Sequence, residues 1–495
     1  MDKTLKKIHA RLPESLLITT LVIFWSLATW AVFLRFQALP EVAEFLPAEN
    51  VEALFTLNMD AYRESTQQPL PALTSVLGQA PESLLWAENI SWILADGQWL
   101  VALQPSSKSQ AWDFLESLKR PKEDWERLGS NWCYKTLPNC FRFAHGHLWV
   151  AYKPEVLNQA LDEAGPRLRE TSRYQNVHAR LPLLSDAFVY INLDESRLDW
   201  AHHMGLLGFE EPGYLATLFQ FFPAYGLSAS FEKDHWKVNS FTALDKSLLE
   251  NPSLLRAQEK YTGSYLPWVS VPMRFEWGTQ NIGQQRSALK SILAEISPAA
   301  ALALQGAANE WVQGQSAEVL NLESAEALFQ GEIYFGQTQA GEKLLIGQVD
   351  PNKKESITAL FGDFAGKYQA PIVQTLENGE QRAELKSVEA RSSLYEGTPY
   401  TSLQIGESSV MALALVEDKL IVSTSKDILF SILDRFYQRE PQRDMSPLNP
   451  LLLGADSFGH LNLDLSEELS IIKDIQWTSK TFDDGMSTRM IFTPL

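Results

Sequence analysis

The sequence is poor in cysteine, short of positive charge and, past its first forty residues, without any long apolar run. Only two cysteines occur, Cys133 and Cys140, in NWCYKTLPNCFRF. Two thiols cannot build a disulfide-stapled scaffold, nor by themselves a tetrahedral metal centre. With Leu137-Pro138-Asn139 between them they sit on the arms of an expected hairpin, either as a local disulfide or as two unpaired thiols. Lys and Arg number 42 against 61 Asp and Glu, a net charge of −19, and no basic stripe lies beyond the N-terminus. That balance argues against a nucleic-acid partner, because phosphate recognition needs clustered cations.

Enzyme signatures are missing too. There is no Gly-x-Ser-x-Gly, no phosphate-binding Walker loop, no Gly-x-Gly-x-x-Gly and no His-Glu-x-x-His. No catalytic residue, cofactor ligand or metal set is therefore named, and no cofactor is expected. His145-Gly146-His147 and the pair His202-His203 come nearest to metal ligands, but neither has a nearby acid or cysteine to complete a set, and a solvated turn is the plainer reading. A Ser-His-Asp triad needs no neighbours in sequence, so an envelope hydrolase with an unrecognised site stays open as an alternative.

What the chain does have begins at its N-terminus. Lys3, Lys6, Lys7 and Arg11 precede Leu16 to Leu34, nineteen residues without a charge. As a helix that run is roughly 28 Å long, close to the hydrocarbon thickness of a bilayer. It is longer than the apolar region of a cleaved signal, and no small-x-small site follows Leu34. The expectation is a transmembrane signal anchor over 1–35, N-terminus cytoplasmic, with the bulk of the chain periplasmic or extracellular. Five of the basic and two of the acidic residues lie in 1–35, which leaves 37 against 59 and a net of −22 in the exported body. Such a body stands off anionic lipid.

The body repeats itself. FVYINLD at 188–194 returns as FGHLNLD at 458–464. Before each comes a short strand, a polar turn and helical spacing: Val156, Leu157, Ala160, Leu161 in one and Ile428, Leu429, Ile432, Leu433 in the other. WLVALQPSSKSQAWDFLESL at 99–118 matches LLIGQVDPNKKESITALFGDF at 344–364, and YGLSASFEKDHWKVNSFTAL at 225–244 matches the hairpin pattern of 475–495 around Asp484-Gly485. Four segments thus recur in one order, at offsets of roughly 245 to 270 residues. The domains expected are a first copy at 36–250, a linker at 251–262 and a second copy at 263–495. Alternating apolar and polar strand positions, interspersed with helices, predict an α+β fold: an N-terminal transmembrane helix, then two diverged copies of a mostly antiparallel sheet-plus-helix domain.

LPAENVEALFTLNMD at 46–60, the strand-turn-helix at 99–118 and RETSRYQNVHARLPLLSDAFVYINLD at 169–194 resemble the bacterial DUF3352 family. Leu46-Pro47-Ala48, Asn58 and Asp60, and Leu181-Pro182 with Tyr190, Asn192 and Leu193 carry the likeness over most of 46–245. The second copy departs at its opening, LPWVSVPMRFEWG at 266–278. The resemblance implies an exported, membrane-anchored protein and brings no catalytic residues.

Within the strand pair, Asn192 and Asn462, with Asp194 and Asp464, recur as turn formers, or at most as part of a cation site. Asn89-Ile90-Ser91 fits a glycosylation acceptor. The segment 202–226 gathers Leu206, Leu207, Phe209, Tyr214, Leu218, Phe219 and Phe222. It reads as a core helix or as an apolar contact for a partner or ligand. The function expected is binding, as a structural or assembly component of a cell-envelope complex, with a protein partner or self-association. A lipid or other apolar ligand is the alternative.

Overall fold

The computed structural model describes residues 41–60, 87–107, 109–110, 113–114, 125–134, 140–193, 222–245, 259–280, 328–350, 352, 357, 372–375, 381–384, 388–463 and 472–494, apart from the single positions 50, 163 and 233 and the pairs 183–184 and 406–407. The segments on which Leu16–Leu34, Leu206–Phe219, Asp194, Asp464, His202 and His203 fall lie outside the described residues.

The first half contributes β1 (Val51–Asn58), β2 (Ala87–Ala95), β3 (Gln98–Pro105), β4 (Trp125–Leu128), β5 (Asn131–Tyr134), β6 (Cys140–Ala144), β7 (His147–Ala151), β8 (Ala187–Asn192), β9 (Ala224–Phe231) and β10 (Trp236–Ala243). The second contributes β11 (Met273–Gln280), β12 (Phe329–Thr338), β13 (Lys343–Val349), a small separate hairpin of β14 (Ile372–Thr375) and β15 (Gln381–Glu384), then β16 (Val388–Tyr395), β17 (Thr398–Ile405), β18 (Ser408–Val416), β19 (Lys419–Ser423), β20 (Ser457–Asn462), β21 (Ile472–Phe482) and β22 (Gly485–Pro494).

Apart from that hairpin, all strands join one twenty-stranded antiparallel sheet. Its spatial order is β4-β5-β6-β7-β3-β2-β1-β8-β9-β10, followed by β22-β21-β20-β11-β12-β13-β19-β18-β17-β16. The second run is the first read backwards, strand for strand. Details repeat with it. β1 is bulged against β2 between Val51 and Ala53, and β11 against β12 between Met273 and Phe275. Asp186 takes the backbone N–H of Phe231 on its carboxylate, and Asp456 does the same for Thr481. Leu193 N–H reaches Pro223 O, and Leu463 N–H reaches Lys473 O.

The joint between the runs is the β10–β22 pair, eight residues on each side, with Asn239 opposite Arg489 at its middle. Arg180 and Leu244 of the first half hold Asp484 across it, Arg180 by a 2.6 Å ion pair and Leu244 by its N–H to the Asp484 carbonyl.

Four α-helices are described: α1 (Pro154–Asp162), α2 (Ser172–Arg180), α3 (Lys426–Phe436) and α4 (Asn449–Leu452). α1 buries Val156, Leu157, Ala160 and Leu161, and α3 buries Ile428, Leu429, Ile432 and Leu433. Each packs on the same face of its ten strands, against Leu54, Ile93, Leu100 and Trp149 in the first half and Tyr334, Ile346, Ile421 and Phe458 in the second. Because side chains alternate across a strand, the next residue along points the other way. A second apolar layer therefore forms on the opposite face, with Ile90, Val101, Leu103 and Leu148, and with Ile333, Leu345, Leu420 and Val422.

This architecture corrects the expected α+β fold. The strand alternation extends through ten strands per half, the two sheets fuse edge to edge, and helices are a minor component. The longest described helix has eleven residues, about 16 Å. No helix among the described residues is long and apolar enough to cross a membrane, so the transmembrane signal anchor expected as part of the fold is not found among them.

Cys133 and Cys140 stand directly opposite each other on β5 and β6, 4.1 Å apart at Cα, and are joined as a disulfide. Both are buried in the first-half core.

Candidate functional site

A connected group of ionisable side chains lies on the helix-bearing face of the second half. β11 and β20 pair so that Glu276 faces His460, and β12 and β21 flank them with Tyr334 and Asp474. Strand periodicity sends all four to the same side. Glu276 is 1% exposed. Its Oε1 accepts from the Tyr334 hydroxyl and from Arg443 Nη1, each at 2.8 Å, and its Oε2 meets His460 Nδ1 at 2.7 Å. His460 Nε2 bonds Asp474 Oδ1, and Gln476 donates to Asp474 Oδ2 at 3.0 Å. The corresponding positions of the first half hold Leu54, Tyr190, Ser91 and Ala224. There the space is filled by Tyr190 edge-on to Tyr174 at 5.0 Å.

Burial works against the charge on His460, but hydrogen bonds and charge attraction from Asp474 and Glu276 outweigh it and push its pKa up to about 9. Burial would likewise raise Glu276, yet His460 and Arg443 hold it below the usual carboxylate value. Burial, then Glu276, drive the Tyr334 hydroxyl far above the ordinary range. The group is thus an alternating chain of charges, Arg443 and His460 positive, Glu276 and Asp474 negative. His460 donates from both nitrogens, so at neutral pH it has no lone pair with which to take a proton. At neutral pH the arrangement therefore offers no free imidazole base. The chain's hydrogen-bonding and charged members include no Ser, Thr or Cys. Among the described residues no group of three or more His, Cys, Asp or Glu could hold a metal ion.

The raised pKa of His460 has a measurable sign. A group raised above its unfolded value near 6.5 gives its full stabilisation below that value and loses it as pH rises through about 9. The expected result is a fall of about 3 kcal/mol in unfolding free energy between pH 6.5 and 9.5. A His460→Gln chain should lack that slope in urea titrations across this range. An unchanged slope would remove His460 as its source.

Of the other sequence candidates, Phe222 is half-buried just before β9. Asn192 accepts a hydrogen bond from Arg173 at 3.2 Å. The acids that the two halves use alike are Asp186 and Asp456, one residue ahead of each repeated strand, which sequence reading passed over. His145 sits at a left-handed φ of 53° in the β6–β7 turn, stacked on Phe45 at 4.4 Å, and its carbonyl is bonded by His147 Nδ1. Asn89 lies inside β2, donating to Gln104 at 2.8 Å.

A different feature spans the joint, on the face opposite α1 and α3. Alternate residues of the four central strands point there: Tyr225 to Phe231 on β9, Trp236 to Thr242 on β10, Ile475 to Thr481 on β21 and Met486 to Phe492 on β22. None of these sixteen positions is charged, although the body around them carries a net of −22. The other face of the same strands shows Lys237, Asp474, Lys480 and Arg489. The uncharged face is only partly covered: Leu227, Phe231, Val238, Trp477 and Met490 are half-buried, and Met486 is 42% exposed. Phe275 extends it, 6.3 Å from Trp477.

No family model and no curated protein matches the chain. Among solved structures, crystal form I of TP0453 is similar at 9% identity and a TM-score of 0.26, over 47% of this chain and 92% of that one. Crystal form III is similar at 9% and 0.25, over 46% and 91%, and form IV at 10% and 0.23, over 45% and 79%. Likeness at this level carries no argument about the present chain.

Proposed function

We propose that this chain acts by binding, as a structural or assembly component of a larger complex, through the uncharged face of β9, β10, β22 and β21. The observation that carries the proposal is that the sixteen paired positions on one side of the central strands carry no charge, while the other side carries Lys237, Asp474, Lys480 and Arg489. Lys473 lies in the irregularity at the start of β21. Charged groups are depleted at the centre of protein contacts, where desolvation would cost more than pairing returns. Strands whose both faces met only water would have no reason for the asymmetry.

The chain is proposed to consist of two diverged copies, about 36–250 and 263–495, and the common strand order supports that reading. Membership of the DUF3352 family remains part of the proposal, on the motifs at 46–60, 99–118 and 169–194. The Cys133–Cys140 bond supports an oxidising compartment outside the cytoplasm, such as the cell envelope.

The test is a pair of photo-crosslinkable residues placed next to each other on opposite faces, at Met490 and at Arg489. A protein adduct in living cells from position 490 and none from 489 is the expected outcome. Adducts of equal yield from both, or from neither, sink the proposal. A lipid adduct from position 490 alone would transfer it to the alternative, a binder of lipid or another apolar ligand, which the same uncharged face favours.

A further inference from the structure

The outer edges of the sheet are unequal. At one end β4 has four residues. At the other, β16 has eight, VEARSSLY, and among the described residues it pairs only with β17, without a register shift. Six consecutive residues, Glu389 to Leu394, are exposed, so both faces of the strand meet solvent, and Leu394 is 71% exposed. Strands at sheet edges usually carry a protective device: a proline, an outward lysine, a bulge or brevity. β16 has no proline, lysine or bulge and is not short, so charged side chains are its one such device. Its only charges are Glu389 and Arg391, on one face and 3.0 Å apart as an ion pair.

We infer that β16 is a self-association edge, which pairs antiparallel with β16 of a second copy of this chain. Geometry limits the registers available. Residues directly opposite one another in an antiparallel pair point to the same face. A two-fold axis relating the strands must therefore pass beside a residue, not between two. An axis at Glu389 sets that carboxylate against its own copy, and an axis at Arg391 does the same with guanidinium groups. An axis at Ala390 sets Glu389 opposite the partner's Arg391, and Arg391 opposite the partner's Glu389, closing a ring of four alternating charges. The chain already contains one joint of this type, since β10 and β22 fuse two ten-strand runs edge to edge. The β16 pairing would repeat it between molecules. It is independent of the uncharged face, which lies at the other end of each ten-strand run.

A charge exchange in the full chain, held in a mild detergent, tests the register by sedimentation equilibrium. The wild type should show a monomer–dimer equilibrium. Glu389→Arg and Arg391→Glu should each raise the dissociation constant about tenfold, because each variant opposes like charges twice per dimer. The double exchange E389R/R391E restores all four attractions and should return the constant to the wild-type value. Because β16 side chains are exposed, unfolding midpoints of all three variants should stay near that of the wild type. A wild type that stays monomeric at every concentration overturns the inference. So do single variants that dimerise unchanged, or a double exchange that does not recover.

Discussion

Replacing Glu276 with alanine is expected to cost about 3–5 kcal/mol, measured as a shift in the urea midpoint of the second half. The carboxylate is the shared acceptor of three donors: the Tyr334 hydroxyl, Arg443 Nη1 and His460 Nδ1. Removing it leaves an imidazolium, 13% exposed, with Asp474 as its one remaining acid and an open Nδ1, and a phenol with no exposure at all without its acceptor. Arg443, at 29%, can turn toward water and loses less. Tyr334→Phe serves as the mild control. It removes one donor and leaves both cations paired, so about 1 kcal/mol is expected. A sharper control comes from the first half, which fills the same two places with Leu54 and Tyr190. The double change E276L/H460Y writes those residues into the second half and removes the central pair of charges together, leaving the more exposed Arg443 and Asp474. It should be less destabilising than Glu276→Leu alone, because an ion pair exchanged for apolar groups of like volume is often close to neutral, whereas a broken pair is not. A double variant worse than the single one would mean that the network stabilises the fold through something other than pairwise charge.

The matching order of elements in the two halves was legible in the sequence because both halves keep the features that strands and short helices demand. Val156, Leu157, Ala160 and Leu161 match Ile428, Leu429, Ile432 and Leu433, and all eight are buried. The hairpins of 224–243 and 472–494 announced themselves by alternation around polar turns. What did not show was the single sheet. Strand alternation identifies a face but not a neighbour, and nothing in β10 or β22 alone says that one pairs with the other. The helical stretches also drew attention out of proportion to their length, which is how an α+β fold came to be expected of a chain dominated by antiparallel strands.

The site escaped for a related reason. Glu276, His460, Asp474 and Arg443 are spread over almost two hundred residues, so no local pattern links them. The one visible signal was a difference, Tyr190 in the first strand against His460 in the second. A polar residue gained on a core face predicts a gained partner, and that inference was available from the sequence. The change beside it was readable only in three dimensions. Val189 pairs with Leu227 in the first half, while Gly459 pairs with Trp477 in the second. A Cβ on Gly459 would lie 2.1 Å from the Trp477 ring, so the bulk lost from one strand is returned by its neighbour.

Replacing Trp149 with alanine should cost about 3–5 kcal/mol as well, and should do so in the first half alone. Trp149 is fully buried on β7, beneath α1, and its indole N–H is bonded to Ala144 O at 3.1 Å. Its counterpart on β19 is Ile421. The claim of independence rests on how the apolar residues divide. The clusters around Trp149 and around Ile90 draw their buried residues only from the first half, and those around Ile421 and Ile333 only from the second. Across the joint run one pair of strands, the Arg180–Asp484 ion pair and a few ring contacts such as Arg180 over Phe482 at 4.4 Å. Fusing two sheets by a single strand pair shares hydrogen bonds but little of either core, and burial of apolar area is the larger part of cooperative stability. Calorimetry on the wild type should therefore resolve two transitions. Trp149→Ala should lower one, Glu276→Ala the other, and the double variant both, with effects that add. One transition that moves as a unit in both variants would mean that the β10–β22 joint binds the halves into a single cooperative body, and that the sheet, not the core, is what the molecule folds around.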